Sequence, residues 1–590
     1  MNEFQMIENK SMYDALIQGA KRVIEKKDTL NQLNVFPVQD QDTGNNLSAL
    51  MKSIIEQTKL GNTIDETLES LADAALIGSR GNSGLIFSQF LYGLTKAHQT
   101  IDYPEFIRRI ESGVIHAYKA INEPVEGTMV TLMRKLSETL KNTKQPIDNI
   151  EAYVDYIIQE LNMALEQTKL ELEVLKTFGV VDAGALGFTL FVEGFLQSIT
   201  NRVTQDVIEP SISFEEPETI EHDHMDITYR YCTEVLLQTT TDKHTLKELL
   251  DQLGDSLVIG ETKRLKRVHL HTNHPEIIVE KLSHLGQILE SKVDDMRKQY
   301  QATQAKDNEI CILTDSIADL PKIFVDSHPI HVYPIGINFN DIVYYDKLTI
   351  NNHQLFHYIS KHEKFPTSFT PSFKAIDAQI NFLLKHYKKL IILTVSSKMS
   401  GIHNLFTKAL EGYKDKDVLL IDTKQNSVSE GLIVYEVAKM IEQKMPFEDI
   451  KLKVNKLVKN TKILVHVDTL DNMVRSGRIK KSLGTLGKLL KLKPIVSIND
   501  AGEGVVLSKT IGQKRNINKL VNMVDRIHKT SGIENYAIVH VSNLKLAEKI
   551  KTQIIKKIGK APVYVGEISS IIAMNSGLNS IAIGFIRKDL

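Results

Sequence analysis

Apolar residues recur at three- and four-residue intervals through the first third of the chain. Leu47, Leu50, Met51, Ile54 and Ile55 keep one helical face apolar, as do Leu85, Ile86, Phe90, Leu91 and Leu94. The stretches from Met12 through Leu16 to Ile24, and from Ala183 to Ile199, read the same way, so residues 1–202 are expected to be all-α. The periodicity then stops. Between Arg202 and Arg230 there is no Lys or Arg, and Pro210 and Pro217 stand among eight acidic residues, which is the composition of a linker over 203–226. Residues 227–302 change to short strands and helices ("YCTEVLLQTT", "RVHLHT", "PEIIVEKLSHLG"), a small α/β unit. After "QATQAKDN", β-rich runs such as "EICILTD", "KLIILTVSS" and "KILVHVD" alternate with helical ones such as "GLIVYEVAKMI". That alternation predicts a largely parallel α/β domain over 306–590.

Length and composition narrow this picture only a little. A chain of 590 residues exceeds a single core and is expected to form roughly three or four domains. With 42% apolar residues, 25% charged residues and a net charge of -1, it has the balance of an ordinary soluble protein, and no nucleic-acid partner is implied. The first residues lack the basic, apolar and small-residue succession of a signal peptide, and no apolar run is long enough to span a bilayer, so a cytoplasmic location is expected. Cys232 and Cys311 are the only cysteines, which excludes a disulfide framework.

Candidate chemistry begins at "NVFPVQDQDTGNNL", where Asp40 and Asp42 lie two apart in a turn framed by Pro37 and Gly44, just ahead of a helix. Two carboxylates that close repel unless a cation lies between them, and magnesium, with a few carboxylates, water and phosphate oxygens, suits the spacing. The plainer reading is an Asp-rich turn that caps the helix. "GSRGNSG" at 78–84 opens another helix. Its three glycines free the backbone to approach a ligand, and amides at a helix start favour phosphate, although small residues also mark close helix packing. "EGTM" at 126–129 and "GVVDAGALG" at 179–187 add further small-residue turns to the same segment. His222 and His224 in "EHDH" sit in the acidic tether, where a solvated surface is the plainer reading.

In this order, "NVFPVQDQDTGNN", "GSRGNSG", "EGTMVT" and "GVVDAGALGF" resemble the ATP-binding subunit of the dihydroxyacetone kinases, in the variant that forms the N-terminal domain of bacterial fatty acid kinases. The resemblance implies a helical barrel whose loop aspartates hold two magnesium ions, which in turn hold the nucleotide phosphates. Carried over, Asp40 and Asp42 become the catalytic metal ligands, with Asn34 or Asn46 as helpers. Thr43, Asn46, Asn82 and Ser83 would contact the nucleotide phosphates, and Gly127 and Met129 would line the adenine pocket. Gln39 and Gln41 stand where that family usually has Pro and Gly.

The segment 227–302 resembles the middle domain of the same kinases through "YCTE" (231–234) and "VHLHT" (268–272). His269 and His271 alternate along a strand and so project from one face, and Cys232 could approach from a neighbouring strand. One thiolate and two imidazoles suit zinc, with the fourth position open or filled by water or His274. Two surface histidines beside a core thiol is the alternative.

Residues 306–590 resemble the DegV family of fatty-acid-binding proteins through "TDSIADLP", "TSFTPS", "SSKMSG" and "SGRIKKSLGTLGKLLKLKPI". A strand that delivers hydroxyls and amides to a helix start suits a carboxylate, although each Ser or Thr could equally be a cap. Thr367, Ser368, Ser396, Ser397 and Arg478 are the candidate contacts to a lipid head group. Ser476 replaces the first of two family glycines, and Asn575 stands where the family often has histidine. From Arg475 to Lys493, seven basic residues and no acidic one are mixed with leucines, a surface for transient contact with anionic membrane or simply a solvated helix.

Together these resemblances imply a phosphotransferase that converts a long-chain fatty acid, ATP and magnesium into acyl phosphate and ADP for phospholipid synthesis, serving a downstream acyltransferase. A homodimer is expected, which could deliver the lipid in trans if it is not delivered in cis. The rival readings are a kinase of a small polyol or ketone and a non-catalytic lipid sensor.

Overall fold

The computed structural model describes residues 8–35, 42–96, 102–142, 150–200, 227–305, 310–361, 364–479 and 492–588. Asp40, Gln39, Gln41, the acidic tether and residues 480–491 of the basic stretch lie outside them. The chain divides into two compact units, Met1–Arg297 and Lys298–Leu590.

The first unit opens with ten helices among its described residues: α1 Asn9–Glu25, α2 Lys27–Gln32, α3 Thr43–Gln57, α4 Ile64–Gly78, α5 Gly81–Gly93, α6 Tyr103–Ala120, α7 Met129–Asn142, α8 Ile150–Glu171, α9 Glu173–Phe178 and α10 Ala183–Ile199. Because "AGALGFTLFVEGFLQSI" is apolar nearly all round, α10 has no face suited to water, and it is buried from Ala183 to Leu196. Packing runs from α1 to α3, α4, α5, α6, α7 and α10 and returns to α1. Phe87, Phe90, Phe188 and Phe191 meet inside that circuit, with ring centroids 5.1 Å apart in the Phe87–Phe191 and Phe90–Phe188 pairs. Glycine lets α10 approach α3: a Cβ at Gly187 would stand 2.4 Å from Leu47 Cδ1.

The middle segment adds strands β1 Tyr231–Gln238, β2 Asp255–Glu261, β3 Leu265–Thr272 and β4 Gln287–Asp295, with helices α11 Lys243–Leu250 and α12 Pro275–Ser283. The sheet is antiparallel, in the order β2-β3-β1-β4. One face packs on the helical segment: Leu236 and Val258 join Leu76, Leu85 and Ala120 in an apolar cluster, and a Cβ at Gly260 would stand 2.4 Å from Leu85 Cδ1. Helical and middle segments, read from the sequence as separate domains, thus form one compact unit.

The second unit holds three sheets. Strands β5 Ile310–Asp315, β6 Ile330–Tyr333, β10 Lys389–Thr394 and β11 Asp417–Asp422 form a parallel sheet in the order β11-β10-β5-β6. Strands β7 Gly336–Phe339, β8 Ile342–Tyr345 and β9 Thr367–Phe369 form a small antiparallel one. Strands β12 Thr461–His466, β13 Leu492–Ile498, β14 Gly504–Ile511, β15 Ile533–His540, β16 Val565–Glu567 and β17 Ile581–Arg587 form the third, in the order β14-β13-β12-β17-β15-β16. Only β15–β16 is parallel there, which corrects the expectation of a largely parallel domain. β17 is buried along six consecutive residues, and a strand covered on both faces is a continuous apolar run whichever way its neighbours point.

Candidate functional site

In the first unit the small-residue turns all precede helix starts, and packing brings those starts side by side. Asp42 occupies the N-cap position of α3, yet its carboxylate accepts no hydrogen bond from that helix start. Thr63, Asp102 and Asp182, in the same position on α4, α6 and α10, each cap in the usual way. The capping role therefore does not account for Asp42. Thr43 begins α3, and its hydroxyl donates to the buried Asn34 Oδ1. Asn46, one turn on, lies against the start of α5, where a Cβ at Gly81 would stand 2.6 Å from Asn46 Nδ2. Gly81 has φ +59°, a conformation suited to glycine. Next to it, Asn82 Oδ1 is buried without a hydrogen-bond partner, and Ser83 is half-buried in the first turn.

The other two helix starts are stapled together. The buried Asp182 carboxylate accepts the Ala185 amide at 2.7 Å, and the amides of Gly184 and Met129 also face it. Burial nevertheless pushes its pKa up to about 6. Gly127 has φ +83°, and its amide donates to Thr131 Oγ1 at 2.9 Å, with the buried Met129 opening α7. Four helix N-termini, each with partial positive charge, thus lie in one connected region of the unit.

The middle sheet brings its candidate metal ligands to the face that packs on the helices. In the β1–β3 register Cys232 stands opposite His271 and Glu234 opposite His269, so all four share a face with Leu236. One ligand atom each from Cys232, His269 and His271 lies within 4.8 Å of the others. Burial, then the charges of Glu234 and Asp294 and, further off, Asp42, hold the Cys232 thiol well above its usual pKa. Burial, together with the neighbouring His269, lowers His271 to about 4. His269 Nε2 is buried without a partner, and its Nδ1 faces Glu234 Oε1 at 3.4 Å. A soft donor, two imidazoles, an unpartnered ring nitrogen and a carboxylate behind the ring fit zinc.

In the second unit an apolar cavity opens at the carboxyl ends of the parallel strands. β5 and β10 are adjacent although β6 follows β5 in the chain, so the order in which successive strands are added reverses between these two parallel strands, the place where open α/β sheets bind ligands. Asp315 Oδ2 accepts the Val395 amide at 2.9 Å across that point, and Ile317 and Val395 line the cavity. Of the sequence candidates, Ser368 and Arg478 line it and lie in contact: Arg478 donates to Ser368 Oγ at 3.1 Å. Thr367, Ser396 and Ser397 do not line it. Thr367 is exposed on β9, Ser396 Oγ donates to Gly502 O at 2.8 Å, and Ser397 Oγ donates to Asp422 at 2.6 Å. Thr370, Ser400, Asn426 and Ser576 supply the hydroxyl and amide groups instead. Hydroxyl-rich spacing alone does not distinguish Ser396 from Ser400, one helical turn further on. No carboxylate among the described residues pairs with Arg478, and burial lowers its pKa.

One unit thus carries closely placed helix starts and a cluster of possible metal ligands, and the other an apolar cavity with a guanidinium in its lining. Three known families match successive parts of the chain. Residues 37–197 match the DAK2 domain, 228–303 the FakA-like middle domain of fatty acid kinase, and 309–588 the DegV family of uncharacterised proteins, so the chain carries all three in that order. A protein of Staphylococcus saprophyticus, described only as uncharacterized, is 33% identical over 319 residues, 51% of this chain and 58% of its own length. One of Staphylococcus haemolyticus, similarly described, is 31% identical over 365 residues, 57% of this chain and 66% of its length. The chain therefore spans under two thirds of these relatives. Among solved structures, a DegV family protein of Thermus thermophilus described by its fatty acid binding is 21% identical, with a TM-score of 0.44 over 47% of this chain and 99% of that one. DegV of Bacillus subtilis, a fatty acid binding protein, is 23% identical, with a TM-score of 0.43 over 48% and 99%. Among the described residues, no helix is long and apolar enough to cross a membrane.

Proposed function

We propose that this chain transfers the γ-phosphoryl group of ATP to the carboxylate of a long-chain fatty acid held in its DegV-type domain, giving an acyl phosphate and ADP. The observation that carries the reading is Arg478, a half-buried guanidinium with no carboxylate partner among the described residues, at the edge of an apolar cavity in a chain that also has a DAK2 domain. An apolar ligand with an anionic head satisfies both halves of that cavity. At about 0.8 kcal/mol per buried methylene, a chain of about fifteen carbons gains on the order of 12 kcal/mol on leaving water.

A carboxylic acid with a pKa of about 4 is already ionised near neutrality, so the acceptor needs no general base. Its oxygen forms the new bond to the γ-phosphorus while the bond to the β–γ bridging oxygen breaks, and ADP leaves with that electron pair. Amides at the starts of α3 and α5, with Thr43, Asn46, Asn82 and Ser83, bind the phosphates, and Gly127 and Met129 border the base. Asp42 and, from the sequence, Asp40 would hold two magnesium ions, which offset phosphate charge when bound. Cys232, His269 and His271 would hold zinc. The helix circuit closed by α1 and α10 is, on this reading, the family's barrel.

Incubation with labelled ATP and either oleate or dihydroxyacetone tests the proposal. Acyl phosphate trapped as hydroxamate with oleate alone, and lost in Asp42→Ala, is the expected result. Phosphorylated dihydroxyacetone would replace it with the polyol reading, and no product from either, with oleate still bound, would replace it with a lipid sensor.

A further inference from the structure

The amide that opens the phosphate loop is already held by a residue from another part of the unit. Gly81 N–H donates to Glu234 Oε1 at 2.5 Å, across 153 residues of sequence. Arg80, at the N-cap of α5, supplies no side-chain cap of its own, and the tight fit of Gly81 against Asn46 fixes where its amide points. Glu234 lies on β1 and is 3% exposed. Burial alone would raise its pKa, but the His269 hydrogen bond and the charges of Lys292, His269 and Arg267 outweigh it and hold the carboxyl well below the usual range.

The same carboxylate reaches the metal-ligand cluster. Oε1 stands 3.4 Å from His269 Nδ1, and Oε2 stands 3.5 Å from Arg267. Arg267, 1% exposed, donates to Leu76 O at 3.0 Å and to Ile77 O at 2.8 Å, the carbonyls that end α4. It also meets Glu290 at 2.9 Å, which pairs with Arg80 at 2.7 Å. The sheet therefore gives a cation to the carbonyl end of α4 and an anion to the amide end of α5, each complementing the helix dipole it faces. Between those ends lies "SRG", the start of the loop. A carboxylate behind a ligating histidine orients the ring and raises its basicity. Here that carboxylate has a second task.

We propose that Glu234 is a positioning residue that ties the Cys232–His269–His271 cluster to the phosphate loop, so that metal on the cluster strengthens nucleotide binding at the start of α5. His269 Nδ1 lies between Cys232 Sγ at 3.8 Å and Glu234 Oε1 at 3.4 Å; with metal taken by the unpartnered Nε2, Nδ1–H is left to Glu234, and the carboxylate is pinned where it holds the Gly81 amide. Without metal the ring is released and the loop loses its anchor. The inference rests on reading that loop as the nucleotide site.

Titration calorimetry of the full chain with Mg-ADP tests it, with zinc loaded or stripped by a zinc-selective chelator and bound zinc counted by atomic absorption. Wild type is expected to bind Mg-ADP about tenfold more weakly when stripped. Glu234→Gln is expected to bind it about tenfold more weakly even when loaded, and to show no further response to zinc. Glu290→Gln, which touches neither Gly81 nor the cluster, retains the response. Hydrogen exchange of the peptide containing Gly81, in wild type with and without zinc, needs no variant and should slow with zinc. Affinity within twofold of wild type in Glu234→Gln, an unchanged zinc response in that variant, or exchange indifferent to zinc would overturn the coupling while leaving the nucleotide site in place. If loaded wild type binds no Mg-ADP, the nucleotide reading falls and this inference with it.

Discussion

Replacing Asp346 by Asn should stabilise the second unit at neutral pH and lose that advantage in acid. Asp346 is 1% exposed beside the similarly buried Asp315, Asp319 and Glu430. Its Oδ2 accepts the Ser316 hydroxyl at 2.7 Å and its Oδ1 accepts the Ser570 amide at 2.8 Å. Burial raises its pKa from 3.8 to about 6, with the Lys347 charge and these hydrogen bonds opposing. Between those values the folded chain keeps a proton that the unfolded chain has released. Stability from this group is therefore complete below pH 3.8 and falls as pH rises toward 6. The difference of about 2.2 pH units at 1.36 kcal/mol each is a penalty of about 3 kcal/mol, present in full above pH 6. Asparagine keeps the acceptor for Ser570 and can donate to Ser316, so it removes the penalty for a loss of about 1 kcal/mol in hydrogen bonding. A net gain of about 2 kcal/mol at pH 7.5 should slow amide exchange in β5 and β10 roughly thirtyfold relative to wild type at the same pH. At pH 4 the variant should be equal to wild type or weaker. An Asn variant destabilised equally at both pH values would refute the reasoning, because its effect would then owe nothing to charge.

Three further outcomes are expected. Arg478→Gln should weaken oleate binding 10- to 100-fold in a fluorescent-acid displacement assay, the worth of a lost charge-assisted pair, while leaving Mg-ADP binding unchanged. Gly44→Ala should lower the melting temperature of the first unit, because the new Cβ would stand 2.0 Å from Lys27 O and backbone must move, a cost of about 1–3 kcal/mol. Cys232→Ser should reduce bound zinc, read by atomic absorption, from one per chain to a small fraction with the fold retained by circular dichroism; full retention would show that the cluster is not the zinc site.

What was legible in the sequence followed from periodicity. The all-round apolarity of "AGALGFTLFVEGF" marks a central helix, and the alternation of His269 and His271 placed both on one face, where the register brings Cys232 opposite. What could not be read depended on distant parts of the chain. Glu234 and Arg267 look like ordinary strand residues, and nothing local shows that one meets an amide 153 residues away and the other a carbonyl 190 residues away. Strand direction was hidden in β17, at the middle of the six-stranded sheet, because burial on both faces erases the alternation that marks antiparallel strands. In "SSKMSG" all three serines are equally polar. Only the turn geometry gives Ser396 to Gly502 and Ser397 to Asp422, leaving Ser400 to the cavity.

The treatment of buried cations elsewhere in the chain gives Arg478 its meaning. Arg109, 2% exposed, pairs with Asp65 at 2.8 Å and lies 3.7 Å from Glu105. Arg230 meets Asp295 at 2.5 Å, and Arg267 meets Glu290 and Glu234. Each follows the rule that a guanidinium withdrawn from water is matched by a carboxylate, since the unmatched charge costs several kcal/mol. Arg478, half-buried, departs from it: it donates to the Ser368 hydroxyl and the Ser476 carbonyl, and burial lowers its pKa with no acid among the described residues to offset it. On the proposed reading, the carboxylate of a bound fatty acid supplies the anion that Arg478 lacks among the described residues. The cavity's remaining polar groups, which are hydroxyls and amides, accord with that proposed carboxylate. They can donate to a second carboxylate oxygen without adding a negative charge that would repel it.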